Sequence, residues 1–392
     1  MERVLGTHSA SARGPTVVGI AGLHGNEPAG LRALEAVVGQ LERPGRGLQR
    51  GRLVALAGNL PALEAGVRYV DRDLNRIWTD EKDGEGLESG QRVELERLLQ
   101  EVRDESPGPV YVIDLHTTSG EGPPFVIFAD TLANRAFARA LPVPMVLGLD
   151  QHLEGTLVDY MDRWGWVNLA FEAGAHGDRG SVRRAEAALW ILLGAAGLLG
   201  ARDPRVTESR EELARVGKGF PRAVQVLARH RIFPESGFRM VPGYRSFQGI
   251  RRGELLARDR DGEIRAVRSG RLLMPLYQEW GSEGFFVARR VRPAWLRVSA
   301  SLRRRRVERV LLLLPGVTEA VGGSPGRILV SKGAGRFLHP RILRVLGYHP
   351  RRKTEDGTIY SRRSEPSERP DQTMSDAAGR WLERGQRERW GT

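Results

Sequence analysis

Two separate segments of the sequence carry side chains that could hold a metal ion. The first is His24-Gly25-Asn26-Glu27, and the second is His116, which follows the apolar run VYVIDL. A hydrolytic zinc site needs three neutral or anionic ligands and one open position for water, and a His-x-x-Glu pair with a distant His supplies that set. The spacing alone is weak evidence, because a loop His and Glu three residues apart can also cap a helix.

The elements around these residues predict how they could come together. Short apolar runs bounded by Pro or Gly favour buried strands, and apolar residues at helical spacing favour an amphipathic helix. The elements predicted in this way are strands at Thr16–Ile20, Arg52–Ala57 and Val110–Leu115, a helix that starts near Pro28 and a helix at Gln91–Val102. Alternating strands and helices indicate an α/β sheet, whose ligands gather beyond the carboxyl ends of parallel strands.

A charged segment from Arg68 to Arg76, RYVDRDLNR, lies between the two halves of the predicted metal site. Guanidinium groups bind carboxylates through two parallel hydrogen bonds, so cations next to an amide suit a substrate that carries a carboxylate. A solvated charged loop is the alternative interpretation. The neighbouring motifs favour the substrate site.

Four motifs in a fixed order together resemble those of a known family. They are His-Gly-Asn-Glu, then Arg-Tyr-x-Asp-x-Asp-Leu-Asn-Arg, then Asp-Leu-His, then Glu-x-Gly at Glu172. In this respect the sequence is similar to the succinylglutamate desuccinylase and aspartoacylase family of the zinc carboxypeptidase superfamily. The resemblance extends over roughly the first 290 residues and implies a mixed α/β sheet flanked by helices, followed by a small all-β domain. A basic C-terminal extension lies outside it.

The resemblance implies a metal site and a general base. One zinc ion per chain would be bound by His24, Glu27 and His116, and Glu172 would be the general base. Zinc lowers the pKa of bound water toward neutrality, so a carboxylate beside it can take the proton during attack on an amide.

The resemblance also assigns substrate-binding roles. Arg68 would polarise the scissile carbonyl, and the carboxylate next to the amide would be held by Asn75 and Arg76. Asp73 would accept a hydrogen bond from a ligand histidine, which we take to be His24, and such a partner fixes the orientation of the imidazole.

Two positions depart from the family pattern. Family members use a further Arg about ten residues before the general base to bind a second carboxylate. Arg163 is near that place, nine residues before Glu172, in a segment that matches poorly, so its role is left open. Family members also contribute a Tyr from the second domain, where this sequence has Phe285 and Phe286, which cannot donate a hydrogen bond.

The other ionisable residues that stand out have ordinary structural interpretations. A lone loop histidine is more often a surface or capping residue than a ligand, which is our expectation for His152 and His176. Asp114 shares the strand face of His116, and a structural role is at least as well supported as a catalytic one. The run Arg303 to Arg306 predicts a solvated helix face.

Composition changes along the chain and predicts four parts. The first 205 residues form the predicted α/β catalytic domain, and helical periodicity stops after a charged segment near residues 202–220. Residues 221–292 consist of short apolar runs between turn residues and predict a small all-β domain. Residues 293–349 form a basic extension of unknown role, and residues 350–392 are polar enough to predict disorder.

The absence of cysteine and of a secretory signal indicates where the protein works. With no cysteine, disulfides and Cys-ligated metals are excluded, and a reducing compartment is expected. The first 15 residues lack a basic start followed by an apolar run, so we expect a cytoplasmic protein. The apolar run Ala187 to Ala201 is shorter than the roughly 18 to 20 residues of a membrane helix and predicts a buried helix.

The positive charge is concentrated at one end of the chain. Residues 293–392 hold 21 Lys or Arg against 10 Asp or Glu, which accounts for 11 of the 13 net positive charges. A nearly neutral remainder argues against a protein built around nucleic-acid recognition.

The sequence therefore predicts a zinc-dependent hydrolase that cleaves the amide bond of an N-acyl amino acid or a similar small carboxylate. The alternatives are a zinc carboxypeptidase that acts on peptides, or a binding protein that uses the basic C-terminal tail. A small-molecule carboxylate is the expected partner, and homo-oligomerisation is left open.

Overall fold

The β-branched runs of the sequence form the centre of one large sheet. The computed structural model describes residues 1–79, 85–320 and 326–363. In chain order the strands are β1 (Val4–Ser9), β2 (Thr16–Ala21), β3 (Arg52–Ala57), β4 (Val110–Thr118), β5 (Phe125–Ile127), β6 (Met145–Leu147), β7 (Val167–Ala175), β8 (Ala223–Arg231), β9 (Arg239–Met240), β10 (Gly249–Ile250), β11 (Leu255–Asp259), β12 (Gly262–Arg265), β13 (Gly270–Leu273), β14 (Glu283–Arg290), β15 (Val317–Glu319), β16 (Arg327–Ser331), β17 (Tyr348–Lys353) and β18 (Gly357–Arg362).

Helices cover the sheet and fill the connections between strands. The α-helices are α1 (Ala29–Leu41), α2 (Leu60–Ala65), α3 (Leu87–Glu105), α4 (Leu132–Ala138), α5 (Leu157–Arg163), α6 (Gly180–Ala196), α7 (Pro204–Val216), α8 (Pro293–Arg304) and α9 (Pro340–Val345), with short 3-10 turns at Leu74–Arg76, Pro234–Ser236, Val307–Leu313 and Ala334–Arg336. The strands predicted at Thr16–Ile20, Arg52–Ala57 and Val110–Leu115 and the helix predicted at Gln91–Val102 are confirmed.

The parallel strands β2, β3, β4 and β7 form the buried middle of the sheet. β2 pairs with both β3 and β4, and β4 pairs with β7. Every residue of β2 and β4 is buried, as expected for strands covered on both faces. Helices α1 and α6 cover one face of the sheet, and helices α3 and α5 pack on the other.

The complete sheet has 11 strands in the order β1-β3-β2-β4-β7-β5-β6-β8-β14-β13-β10, with parallel and antiparallel pairs. The predicted mixed α/β sheet flanked by helices is confirmed. The apolar run that starts at Ala187 lies mostly in the buried helix α6, which ends at Ala196. Within the described residues, no helix is both long and apolar enough to cross a membrane.

Residues 221–292 contain strands and turns, as predicted, but they are joined to the first part of the chain by hydrogen bonds. β8 pairs in parallel with β6, and β14, β13 and β10 extend the same sheet, while β12, β11 and β9 form a separate three-stranded sheet. The charged segment near residues 202–220 is helix α7, where Val206 packs against Gly194 of α6. The division into separate domains stays a prediction.

The C-terminal part corrects the prediction of disorder from residue 350 onward. β15, β16, β18 and β17 form a four-stranded sheet, in which β17 and β18 are an antiparallel hairpin that reaches Arg362. Its core includes Tyr348 and Tyr360 packed with Ile328 and Val330. The prediction failed because two tyrosines, one on each strand of the hairpin, provide this burial in a segment that is otherwise largely charged. The rest of the predicted tail, residues 364–392, lies outside the described residues.

Arg303 corrects part of a second expectation, that of a solvated arginine run, because residues 304–306 are exposed but Arg303 is not. Its side chain is fully buried, donates to the backbone oxygen of Asp130 at 2.8 Å and lies 3.5 Å from the Asp130 carboxylate. Arg135 pairs with the same carboxylate and donates to Ser299 of α8 at 3.0 Å. Burial raises the pKa of Asp130, but the two guanidinium groups outweigh this and hold it well below its usual value. We call these groups the Asp130 cluster.

A second group of charges joins the C-terminal part to helix α5 and the loop before it. The guanidinium of Arg363 pairs with Asp159 and lies 3.4 Å from Asp162 and 3.6 Å from Asp150. Burial lowers the pKa of Arg363, but the three carboxylates outweigh this and raise it above its usual value. The last described residue of the chain is therefore held against the first part of the fold.

Candidate active site

The topology of the sheet brings together the three predicted metal ligands. β2 and β4 pair in register, with Ala21 opposite Leu115, so the loop after β2 lies beside the end of β4. His24 and Glu27 lie on that loop, and His116 follows Leu115 on β4. The three side chains are buried, and their ligand atoms all lie within 4.8 Å of one another.

The hydrogen-bond partners of the two histidines indicate which nitrogen of each imidazole carries a hydrogen. Nδ1 of His24 lies 2.8 Å from Oε1 of Glu27, and Nδ1 of His116 lies 3.1 Å from Oε2. Nε2 of His24 faces Asp73 at 3.1 Å, and Nε2 of His116 faces Asp114 at 2.8 Å. Ionised carboxylates only accept hydrogen bonds, so each Nε2 must carry a hydrogen. A neutral imidazole then turns the lone pair of Nδ1 toward Glu27.

Lone pairs on Nδ1 that face carboxylate oxygens are unfavourable, and either a proton on Nδ1 or a bound cation removes the repulsion. The pKa values show that the three side chains together favour positive charge. Burial lowers the pKa of His116, but Asp114 and Glu27 outweigh it and raise the pKa well above its usual value. Burial raises the pKa of Glu27, but the two imidazoles bring it well below its usual value. Two nitrogen ligands and one carboxylate fit a zinc ion with an open position.

Asp73 connects the metal centre to Arg68. Its Oδ2 accepts from Nε and Nη2 of Arg68 at 3.2 and 2.9 Å, while its Oδ1 faces His24. Burial raises the pKa of Asp73, but Arg68 and His24 outweigh it, so the carboxyl remains ionised well below its usual range. Nη1 of Arg68 lies 3.7 Å from Oε1 of Glu27, which places the guanidinium at the rim of the metal centre.

The predicted carboxylate binders Asn75 and Arg76 lie on the short 3-10 turn that follows Asp73. Nδ2 of Asn75 lies 3.3 Å from Nε2 of His116, and Oδ1 of Asn75 accepts from the backbone of Leu157 at 2.9 Å. Nη2 of Arg76 pairs with Glu283 of β14 at 3.0 Å. The turn is thus tied to α5 and β14.

Glu172 lies beside the metal centre on the neighbouring strand. Its Cα is opposite that of His116 in the β4–β7 pairing, and its side chain is buried. Its Oε2 has no hydrogen-bond partner among the described residues, which is uncommon for a buried polar atom. Burial raises the pKa of Glu172 to about 8, with Glu27 and Asp114 adding to the increase and His116 opposing it.

A polar network that the sequence did not reveal closes one side of the site. Nδ1 of His176 lies 2.7 Å from Oγ1 of Thr117, and Nε2 of His176 lies 3.1 Å from Oε1 of Gln278. Asn26 donates to the same Gln278 oxygen at 3.1 Å. His176 is half-buried in this network rather than a surface or capping residue, and it is not one of the three residues that could hold a metal ion. Its position four residues after Glu172, just beyond the carboxyl end of β7, was the available signal.

Arg163 and the two phenylalanines lie away from the site. Arg163 is the exposed last residue of α5, just before β7, whereas Glu172 lies five residues into that strand, a distance of about 16 Å along it. Phe285 and Phe286 are buried in two apolar clusters of the β-rich region.

Comparisons with known proteins cover mainly the part of the chain that carries this site. Residues 13–185 match the family model of the succinylglutamate desuccinylase/aspartoacylase catalytic domain. A succinylglutamate desuccinylase of Pseudomonas paraeruginosa is 37% identical over 98 residues, which is 25% of this chain and 29% of that protein. One from Pseudomonas syringae pv. tomato is 40% identical over 80 residues, or 20% and 23% of the two chains. The matched stretch spans less than a third of these curated relatives.

Solved structures share the fold over a longer stretch. A succinylglutamate desuccinylase/aspartoacylase from Rhodobacter sphaeroides aligns with a TM-score of 0.53 and 19% identity, covering 71% of this chain and 87% of that one. The product-bound ectoine utilization protein EutE from Ruegeria pomeroyi aligns with a TM-score of 0.52 and 22% identity, covering 72% and 86%. All the predicted site residues lie inside the range of the family model. Residues 13–185 of this chain are therefore similar to the succinylglutamate desuccinylase/aspartoacylase catalytic domain.

Proposed function

We propose that this protein is a zinc-dependent hydrolase that cleaves the amide bond of an N-acyl amino acid or a similar small carboxylate. One observation carries the proposal: the buried carboxylate of Glu172, whose Oε2 has no hydrogen-bond partner among the described residues, lies beside three side chains that could hold a metal ion. The zinc ion would be held by Nδ1 of His24, Nδ1 of His116 and the carboxylate of Glu27. When bound there, zinc would supply a Lewis acid that polarises a carbonyl and acidifies water.

Glu172 is the general base in this proposal. It takes a proton from the attacking water and returns it to the amine that leaves, so one carboxylate acts first as base and then as acid. A base works best when its pKa lies near the working pH, and burial has moved the pKa of Glu172 up toward neutrality. Its Oε2 has no partner among the described residues and can therefore accept the proton of the attacking water.

Arg68 stabilises the oxygen that becomes negatively charged during attack. Its guanidinium is held by Asp73, so it is oriented before substrate binds, and such preorganised donors are effective because they need no rearrangement. The contact of Asp73 with His24 orients that imidazole at the same time.

Asn75 and Arg76 hold the substrate carboxylate next to the amide. Arg76 is already paired with Glu283, so the incoming carboxylate shares this guanidinium or displaces Glu283. Arg163 lies too far away to bind a second carboxylate. Rates with N-acetyl amino acids, N-succinyl amino acids and short peptides would identify the acyl group and would separate this activity from a carboxypeptidase.

The central test is Glu172→Gln, which keeps the shape of the side chain and removes the base. We expect zinc content to be unchanged and kcat to fall by about 10² to 10⁴-fold on the best N-acyl substrate. Glu186→Gln on α6, where Glu186 contacts Gln40 and Trp190, is the matched control and should leave kcat unchanged. A Glu172→Gln enzyme that hydrolyses at the wild-type rate would disprove the assignment.

Metal analysis tests the ligand set separately from the base. Purified protein should contain about one zinc per chain, and His116→Ala should lose it because two ligands hold the ion much less tightly. His152→Ala, which removes a histidine outside the ligand set, is the control. Retention of stoichiometric zinc by His116→Ala would contradict the proposed centre.

A further inference from the structure

A small cleft lies in the C-terminal sheet, which contributes no side chain to the metal centre described above. The cleft has a volume of about 200 Å³ and lies between the end of β16 and the turn that joins β17 to β18. Val330 and Tyr360 are its buried apolar residues, and its polar lining includes Lys332, Lys353 and Thr358.

Lysines are rare in this protein, and two of them line this one cleft. Only four of the 61 basic residues are lysines, at positions 82, 218, 332 and 353, and the other 57 are arginines. Lys332 follows β16 and Lys353 ends β17, so the cleft brings together two residues 21 positions apart. An ammonium is a compact point charge with three donors, whereas a guanidinium is broad and planar. The cleft therefore carries the compact ammonium groups of lysine in a chain whose other basic residues are mostly arginines.

The donors of the cleft are available for a ligand. Both lysines are exposed, and within the described residues neither forms an ion pair and the hydroxyl of Thr358 makes no hydrogen bond. The hydroxyl oxygen of Ser331 accepts from Ala334, which leaves its hydrogen free to be donated. Glu355 and Asp356 lie on the adjacent turn, where both are exposed and neither pairs with the lysines.

The framework of the cleft is closely packed. A Cβ at Gly357 would lie 2.1 Å from the backbone oxygen of Val330, so the hairpin can approach β16 only because residue 357 is glycine. The hydroxyl of Thr354 accepts from the backbone of Gly357 at 3.2 Å and fixes the turn. Gly335 also lines the cleft, and a Cβ added there would have nothing within 4 Å.

We propose that this cleft binds a phosphate group, either as inorganic phosphate or on a small phosphate ester. Two ammonium groups match a dianion, and the hydroxyls of Ser331 and Thr358 can donate to its oxygens. A carboxylate would be better matched by the planar fork of arginine. The volume lies below the roughly 300 to 1,000 Å³ of sites for drug-sized ligands, so the ligand is a phosphate with little attached rather than a whole nucleotide.

The scarcity of lysine makes a direct test practical. The zinc-loaded full chain, labelled with ¹³C and ¹⁵N in lysine only, gives at most four side-chain ammonium or Cε signals, which Lys332→Met, Lys353→Met and Lys218→Met assign by loss. Inorganic phosphate, glycerol phosphate and succinate are titrated separately, at an ionic strength of about 10 mM so that screening is weak. The metal centre carries no lysine, so phosphate bound there does not shift these signals directly.

We expect the signals of Lys332 and Lys353 to move together and to saturate with phosphate or glycerol phosphate at a Kd of about 1 mM or lower, while Lys218 does not respond. The probe with the lower Kd, inorganic phosphate or glycerol phosphate, shows whether the cleft prefers free phosphate or a phosphate ester. Removing one lysine should weaken binding at the other by about tenfold, since a hydrogen bond to a charged group is lost. Equal movement of all the lysine signals, no saturable movement, or an equally strong response to succinate would overturn the proposal.

Discussion

Two regions of this molecule bury charged side chains, and they differ in the partners that surround those charges. In the Asp130 cluster, the carboxylate lies against the guanidinium groups of Arg135 and Arg303, so the chain itself supplies the opposite charge. In the metal centre, two imidazoles are oriented by Asp73 and Asp114 so that their other nitrogens face a third carboxylate. In the first arrangement the guanidinium groups contact the carboxylate directly, whereas the second also leaves three side chains whose ligand atoms could hold an added cation.

The difference separates a structural cluster from a binding site. Burying a charge is costly unless it is paired, so buried charges are placed next to opposite charges or next to a site for an ion. The Asp130 cluster connects α4 with α8 and thereby attaches the C-terminal part to the sheet. The metal centre instead gathers two imidazoles and a carboxylate, the set that the proposed zinc ion would use.

The largest expected effect on stability comes from breaking the paired cluster. Asp130→Ala leaves Arg135 and Arg303 buried without their carboxylate, and we expect the free energy of unfolding to fall by about 3 to 5 kcal/mol. Urea unfolding of the full chain would measure it. Asp104→Ala, which breaks the exposed pair with Arg103, is the control and should change stability by about 0.5 kcal/mol or less. If Asp130→Ala and Asp104→Ala lowered the free energy of unfolding equally, the Asp130 cluster would not be a stabilising structural cluster.

A smaller effect is expected from changing the support of the metal centre. Asp73→Asn keeps the size of the side chain but weakens its hold on His24 and Arg68, so zinc affinity should fall by about 10 to 100-fold. Competition with a chelator of known affinity would give the value. Asp71→Asn, on the same segment and bonded to the backbone of Leu87, serves as the control. Unchanged zinc affinity in Asp73→Asn would show that this contact is not needed by the metal.

The smallest expected effect is a difference in pH dependence between the two regions. The pKa of Asp130 is lower in the folded protein than in the unfolded chain, so its stabilisation is present above about pH 4 and is lost as the pH falls further. Asp130→Asn should therefore be less stable than wild type at neutral pH, with the gap narrowing in acid. Unfolding midpoints in urea across pH 3 to 7 would test the sign.

In chelator-treated protein, the stability that depends on Glu172 should change with pH in the direction opposite to that of Asp130. The pKa of Glu172 is raised to about 8 in the fold, above the ordinary value near 4.5, so the stability it contributes is fully present below that ordinary value. This contribution is lost as the pH rises toward 8. The metal-free Glu172→Gln variant should thus gain stability relative to wild type over that interval. A constant difference between the two proteins across this range would contradict the raised pKa.

Local patterns predicted the elements that carry the ligands because those elements are formed by short-range preferences. β2, β3 and β4 are apolar runs that could only be buried, and parallel pairing then places His24 beside His116. The sequence also identified Glu172, which lies on the strand next to β4.

The features that sequence reasoning missed depend on partners far along the chain. Nothing near Arg303 shows that Asp130, 173 positions earlier, will bury it, and an isolated arginine run favours solvent. Gln278 reaches His176 across 102 positions. The hairpin of β17 and β18 was missed because its burial comes from Tyr348 and Tyr360, which do not form an apolar run.

The contacts of Arg363 have a consequence for anyone who wishes to shorten this protein. A chain cut at residue 292 would keep every proposed catalytic residue, but it would remove the guanidinium that three aspartates around α5 now share. The first backbone amide of α5, that of Leu157, bonds Asn75. We therefore expect a truncation far from the metal to act on the substrate-binding turn, and an active fragment should retain Arg363.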